Sequence, residues 1–172
     1  MSCSVLILTK NEESNIQACI ESCKPFADEV IVIDDMSTDQ TEALATVSDA
    51  HVYKRAMNGD WGAQQTFAIT KACKDWIFFI DADERCTPGL ITEIQGLVKG
   101  KPDAAYEVRR INHFKGQRLN HGPLSPDWVL RLMPREGASV TGLVHPSVKS
   151  TAKKKRLSKD MLHFTYNSRE QY

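Results

Sequence analysis

The 172-residue chain has no net charge, with 22 Lys and Arg against 22 Asp and Glu. It therefore lacks the basic footprint of a nucleic-acid binder, and nucleic acid is not an expected partner. Long apolar runs are missing too. Val5–Leu8, Val30–Ile33 and Trp76–Ile80 fall far short of the roughly 18 residues that a membrane-spanning helix requires. The opening, MSCSVLILTKNEES, shows no basic n-region and no small-residue cleavage site, so no signal peptide is expected. The five cysteines are odd in number and lack C-x-x-C pairing, which argues for free thiols in a reducing cytoplasm. There is no internal repeat and no low-complexity tract. A chain of this size forms one domain that needs neither disulfide nor metal to fold.

The residues present point to an α/β fold. SVLILT (4–9), EVIVID (29–34) and DWIFFID (75–81) are apolar without alternation, the mark of strands covered on both faces. His51–Lys54 is a weaker strand. Helices are expected between them: from a cap at Asn11 or Ser14 to about Lys24, from a cap at Ser37 or Thr38 to about Val47, and over 61–73. Thr87-Pro88 caps a further helix running to about Val98. The alternation predicts a parallel sheet with right-handed crossovers. Later strand-like pieces, near Ala105–Phe114, Trp128–Met133 and Ser139–Val144, are separated by Gly and Pro and read as an antiparallel addition. Acidic residues gather before residue 100 and basic ones after it. The KKKR block at Lys153–Arg156 is read as solvated surface.

Ligands of open α/β sheets bind beyond the carboxyl ends of the strands. Three such ends are acidic here: Thr9-Lys10-Asn11-Glu12, Asp34-Asp35 with Asp39, and Asp81-Ala82-Asp83-Glu84. Converging carboxylates repel unless a cation or hydrogen-bond donors meet them. Helix capping accounts for some of them but not for both Asp81 and Asp83. Carboxylates at i and i+2 beyond a buried strand suit Mg2+ or Mn2+, which keep waters and accept phosphate oxygens.

Four stretches in order, SVLILTKNEESNIQACIES, EVIVIDDMSTDQTEALA, WGAQQTFAITKACKDWIFFIDADERCTPGL and PDWVLRLMPREGASVTGLVHPSV, make the chain resemble family 2 nucleotide-sugar glycosyltransferases of GT-A type. The subgroup it most resembles is the bacterial lipopolysaccharide core glucosyltransferases. The resemblance implies one GT-A domain, with residues 1–100 binding the nucleotide-sugar and 101–172 forming the acceptor side. It implies that Thr9, Asn11 and Glu12 line the nucleotide pocket, that Asp34 and Asp35 reach base or ribose, and that Gln64 also contacts the donor. Asp81 would meet the ribose or assist the metal, Asp83 would bind Mg2+ or Mn2+, and Arg131 would meet the diphosphate. Asp127, in a P-D-x-x-x-R-L element, is the first choice for general base, with Glu136 and His145 in reserve. Gln65-Thr66 stand where relatives carry a basic residue and Asn.

The implied reaction moves a hexose from a UDP-sugar, such as UDP-glucose, with inversion onto a saccharide or lipopolysaccharide-core acceptor. The implied location is cytoplasmic, with Lys153–Arg156 meeting an anionic membrane at its surface; each basic residue would contribute about 1 kcal/mol. Trp61 and Trp128 are read either as sugar-stacking or as packing residues. The alternative function is a nucleotide-sugar-binding module without turnover. A signalling receiver fits less well, because the acidic pair follows the second strand and no late strand ends in lysine.

Overall fold

The computed structural model describes residues 1–114, 117–118, 126–142 and 147–165. Its first half alternates as expected: β1 (Cys3–Thr9), α1 (Ile16–Cys23), β2 (Glu29–Asp34), α2 (Thr41–Val47), β3 (His51–Lys54), α3 (Trp61–Lys71) and β4 (Trp76–Asp81). Then come β5 (Glu84–Cys86), α4 (Pro88–Val98), β6 (Ala104–Phe114), β7 (Gln117–Arg118), β8 (Asp127–Pro134), β9 (Ala138–Thr141), β10 (Ser147–Ser150) and β11 (Lys153–Thr165). The main sheet runs β3-β2-β1-β4-β8-β6-β11-β5, with β7 beside β6; β9 and β10 pair separately. β1 is parallel to both β2 and β4, and β2 is parallel to β3.

The unbroken apolar runs follow from burial on both faces. Val5, Ile7, Val30, Val32, Phe78 and Ile80 meet Ile16, Ile20, Leu90 and Ile94 of α1 and α4. The alternate residues Leu6, Ile31, Ile33, Ile77 and Phe79 meet Ala68 of α3, and Ala138 and Val148 of the β9–β10 pair lie against the same cluster. Gly62 lets α3 approach closely there: a Cβ at this position would lie 2.3 Å from the Gly142 carbonyl oxygen.

Several local expectations are corrected. α1 starts at Ile16, because residues 11–15 form a turn in which the Asn15 and Ile16 amides donate to the Glu12 carbonyl. α2 starts at Thr41 rather than after Ser37 or Thr38. Asp39 accepts from the Thr41 amide, while the Ser37 hydroxyl is engaged by Asp34. α4 begins as expected, with Thr87 Oγ1 accepting from the Leu90 amide and Pro88 in the first turn.

The second half is not simply antiparallel. β8 is antiparallel to β4 and β6, but β11 runs parallel to β6 and antiparallel to β5. The Lys153–Arg156 block, read as solvated surface, is exposed and opens β11. Strand alternation then splits its charges between the faces of the sheet. Lys155 Nζ lies 5.9 Å from the Tyr106 ring, whereas Arg156 packs 4.5 Å from the Trp128 ring and pairs with Glu107. Among the described residues this stretch of β11 pairs on one side only, and lysines on such a margin discourage edge-to-edge association.

Candidate functional site

Register brings the acidic strand ends together. Leu8 of β1 stands beside Asp81 of β4, and Thr9 stands beside Asp34 of β2. The segments that follow enclose a cavity of about 570 Å³. Thr9, Lys10 and Glu12 form one wall and Asp81, Asp83 and His163 another; Asp35, Met57, Trp61 and Gln64 close the remaining side.

The turn after β1 is held in shape by side chains. Asn11 adopts a positive φ of 52°, its amide donates to Ser37 Oγ, and its Oδ1 accepts from the Thr38 amide. Asn is among the few non-glycine residues that tolerate this conformation. Asn11 therefore ties the loop after β1 to the loop after β2 and does not line the cavity. Asp34 is fully buried beneath the same loops, and its carboxylate accepts from the Ser37 amide at 2.9 Å and from the Ser37 hydroxyl.

Asp35 does reach the wall. Burial favours its neutral form, but the Met57 amide at 2.8 Å and the Lys10 ammonium at 3.0 Å outweigh that, holding its carboxyl below the usual range. Glu12 moves the other way: burial pushes its carboxyl up, against the opposing donation from the Asn15 side-chain amide Nδ2. Thr9 Oγ1 is buried with no hydrogen-bond partner among the described residues, a polar atom on the wall that a ligand would satisfy. Gln64 is buried and locked to Arg55, donating to its carbonyl at 2.8 Å and accepting from its guanidinium. Trp61 is 46% exposed at the mouth of the cavity, leaving an aromatic surface there for a ligand.

Behind the Asp81–Glu84 turn lies a charged network. Arg131 Nη2 donates to Asp81 and to Glu84, both at 2.6 Å. Arg110 donates to Glu84 at 3.2 Å and to Asp127 at 2.8 Å. Burial raises the Asp81 carboxyl, but the charge and hydrogen bond of Arg131 reverse this and hold it below the ordinary range. Glu84 has no exposed side-chain surface, and there burial prevails and pushes the carboxyl up. Arg131 is thus packed under the cavity rather than on its wall. Asp127 lies at the start of β8 in an ion pair, outside the wall. Glu136 lies past the far end of β8, where Pro134 faces Trp76 at the start of β4, at the opposite edge of the sheet. His145 is outside the described residues.

His163 is the site residue that sequence reasoning missed. Its Nε2 lies 3.3 Å from Asp83 Oδ2, and its Nδ1 lies 2.7 Å from Asn112 Oδ1. Burial lowers the imidazole, but Asp83 more than compensates and holds it above its ordinary value. The available signal was the apolar cluster Met161, Leu162 and Phe164 around it, which marks a strand that carries a histidine. Among the described residues, no group of three or more His, Cys, Asp or Glu is arranged to hold a metal alone. Asp83 and His163 are a two-donor set, which suits a divalent ion that completes its shell with water and phosphate oxygens. The imidazole favours Mn2+ over the strictly oxygen-seeking Mg2+.

Residues 4–160 match the family model described as glycosyl transferase family 2. An uncharacterized glycosyltransferase of Rickettsia typhi is 32% identical over 145 residues, which cover 83% of this chain and 49% of that protein. The Rhizobium meliloti lipopolysaccharide core biosynthesis glycosyltransferase LpsC is 38% identical over 91 residues, 51% of this chain and 33% of that one. The chain thus spans about half the length, or less, of these curated relatives. Among solved structures, Staphylococcus aureus TarS (residues 1–349) with UDP-GlcNAc superposes with a TM-score of 0.71 at 16% identity, covering 99% of this chain and 60% of TarS. Mycobacterium tuberculosis glucosyl-3-phosphoglycerate synthase, with Mn2+, UDP and glucosyl-3-phosphoglycerate, gives 0.54 at 22% identity, covering 78% and 57%. At these identities the structures show a shared GT-A fold.

Proposed function

The chain belongs to glycosyl transferase family 2, and on that premise we propose that its strand-end cavity binds a UDP-sugar and transfers the hexose, with inversion, to a saccharide acceptor of the cell envelope. The observation that carries the reading is the convergence of Thr9, Asp35, Asp81 and Asp83 on one cavity large enough for a nucleoside diphosphate. Likeness to LpsC supports a lipopolysaccharide-core acceptor.

In this reading Thr9 Oγ1 hydrogen-bonds the nucleotide, and the Asp35 carboxylate, fixed by Met57 and Lys10, accepts from base or ribose. Lys10 stands at the wall as a cation for the diphosphate. Asp81, kept ionised by Arg131, accepts from a ribose hydroxyl. Asp83 and His163 are the residues that would hold Mn2+ or Mg2+, which as a Lewis acid neutralises charge on the departing diphosphate. Inversion requires that the acceptor oxygen attack the anomeric carbon as its bond to the diphosphate breaks, with a base taking the acceptor proton. Asp127 is assigned that base, with Arg110 orienting its Oδ2.

Isothermal titration with UDP, GDP and ADP, each with and without Mn2+, on wild type and Asp83→Ala tests the reading. Metal-dependent binding of UDP, lost in the variant, supports it; no binding of any nucleotide overturns it. A second reading, donor binding without transfer, is favoured by the ion pairing of Asp127. Binding without donor turnover in the presence of acceptor would establish it.

A further inference from the structure

A second cavity, of about 310 Å³, lies on the other side of Arg131. It is bounded by α3, β6, β8, β10 and the start of β11, through Gln65, Glu107, Trp128, Arg131, Val148 and Lys154. Two of these side chains carry unmet hydrogen-bonding capacity. Arg131 is only 9% exposed, and while its Nη2 serves Asp81 and Glu84, its Nε–H is buried with no acceptor among the described residues. Gln65 Oε1 is likewise buried without a donor. Leaving a buried donor or acceptor unmet costs roughly 1–3 kcal/mol, more when the group is charged. Both residues line the cavity, so a ligand that reached these atoms would meet them with lone pairs for Arg131 and a hydroxyl hydrogen for Gln65.

The remaining lining narrows the ligand further. Val148 and the part of Trp128 left open by Arg156 supply apolar surface of the kind that covers sugar C–H groups. The Lys154 ammonium, with no carboxylate partner among the described residues, supplies a positive charge at the wall, while Glu107 is partly neutralised by Arg156 at 3.2 Å. We propose that this cavity binds a sugar unit bearing an anionic substituent, phosphate or carboxylate, and that this unit belongs to the acceptor. Only the word acceptor rests on the transferase reading; the binding site stands on the lining itself. Arg131 is then shared between the sites, with Nη2 on the donor side holding Asp81 and Nε on the acceptor side. Gln65 would contact the acceptor sugar and not the donor diphosphate.

Indole N–H resonances of the 172-residue chain test this, because Trp61 borders the first cavity, Trp128 the second, and Trp76 is in the core. They are assigned with Trp61→Phe and Trp128→Phe. Glucose 6-phosphate, glucuronate, glucose and inorganic phosphate are titrated separately, and UDP with Mn2+ in parallel. The expected result is a saturable shift of Trp128, and none of Trp61, with glucose 6-phosphate or glucuronate; whichever binds more tightly identifies the anionic group. Gln65→Leu and Lys154→Ala should each weaken that binding about tenfold or more. Equal binding of plain glucose overturns the anionic requirement, and equal binding of phosphate alone overturns the sugar. No Trp128 shift, or a shift unchanged in both variants, overturns the site. The UDP titration is read at Trp61, so failure of the donor reading appears separately. Lys154→Ala lies on an exposed strand end and keeps the test decisive if Gln65→Leu fails to fold.

Discussion

His163 Nε2 faces Asp83 Oδ2 across 3.3 Å, joining the turn after β4 to a strand near the far end of the described chain. Asn112 Oδ1, 2.7 Å from Nδ1, fixes the ring so that Nε2 is the nitrogen turned to the carboxylate. His163→Ala is therefore expected to weaken Mn2+ binding in the presence of UDP by about tenfold or more, ~1.4 kcal/mol. Asn112→Ala should weaken it less. Electron paramagnetic resonance of free Mn2+ measures both; unchanged affinity in His163→Ala would make the contact purely structural.

Arg131 neutralises two carboxylates from beneath the site. Removing one partner of a buried ion pair strands the other charge, at a cost of about 3–5 kcal/mol. Because Glu84 keeps Arg110 at 3.2 Å and Asp81 is half exposed, Arg131→Met should lose less than that, about 1–3 kcal/mol, in urea unfolding, and adding Glu84→Gln should recover part of it. A loss below about 1 kcal/mol would show that the network relaxes without cost.

Gly62 admits no side chain. Its would-be Cβ meets backbone rather than a flexible side-chain end, so Gly62→Ala must push α3 away from the Gly142 carbonyl. Overpacking of this kind costs about 1–3 kcal/mol. The denaturation midpoint should fall accordingly, whereas Gly96→Ala, in the open on α4, should be neutral or stabilising.

Glu29 gives the clearest acid dependence. Burial raises its carboxyl, but donation from the Cys73 amide at 2.8 Å and from the Ser4 hydroxyl prevails and lowers it from its ordinary 4.5. A carboxyl lowered by folding contributes stability that is present above the unfolded value and lost as pH falls through the folded one. Wild type should thus exceed Glu29→Gln in thermal stability above pH 4.5, with the gap closing as pH drops below it. Melting curves across pH 3–7 check this, and a gap independent of pH would contradict it.

The doubly covered strands and the acidic turn were legible because their signals are local: unbroken apolar runs, and D-x-D directly after one of them. The direction of Asp34 was not legible, because position at a strand end does not reveal it; the amide and hydroxyl of Ser37, three residues on, engage its carboxylate. That Asp127 and Arg131 share one charged network was not legible, because Arg110, which links Asp127 to Glu84, comes from another strand and no spacing rule connects them. β11 was unreadable for a related reason. Its first four residues are exposed and basic, and its meaning depends on β6, a parallel partner reached only through the whole intervening antiparallel segment.

The order of synthesis gives β11 a further significance. Lys10, Asp35 and Asp83 leave the ribosome well before His163, and residues 161–163 of β11 are the ones that pair with β5 behind the acidic turn. A nascent chain halted before residue 163 therefore carries the carboxylates without the imidazole that faces them. Whatever the imidazole contributes at Asp83 therefore arrives only after β6, β8 and the start of β11 have been made.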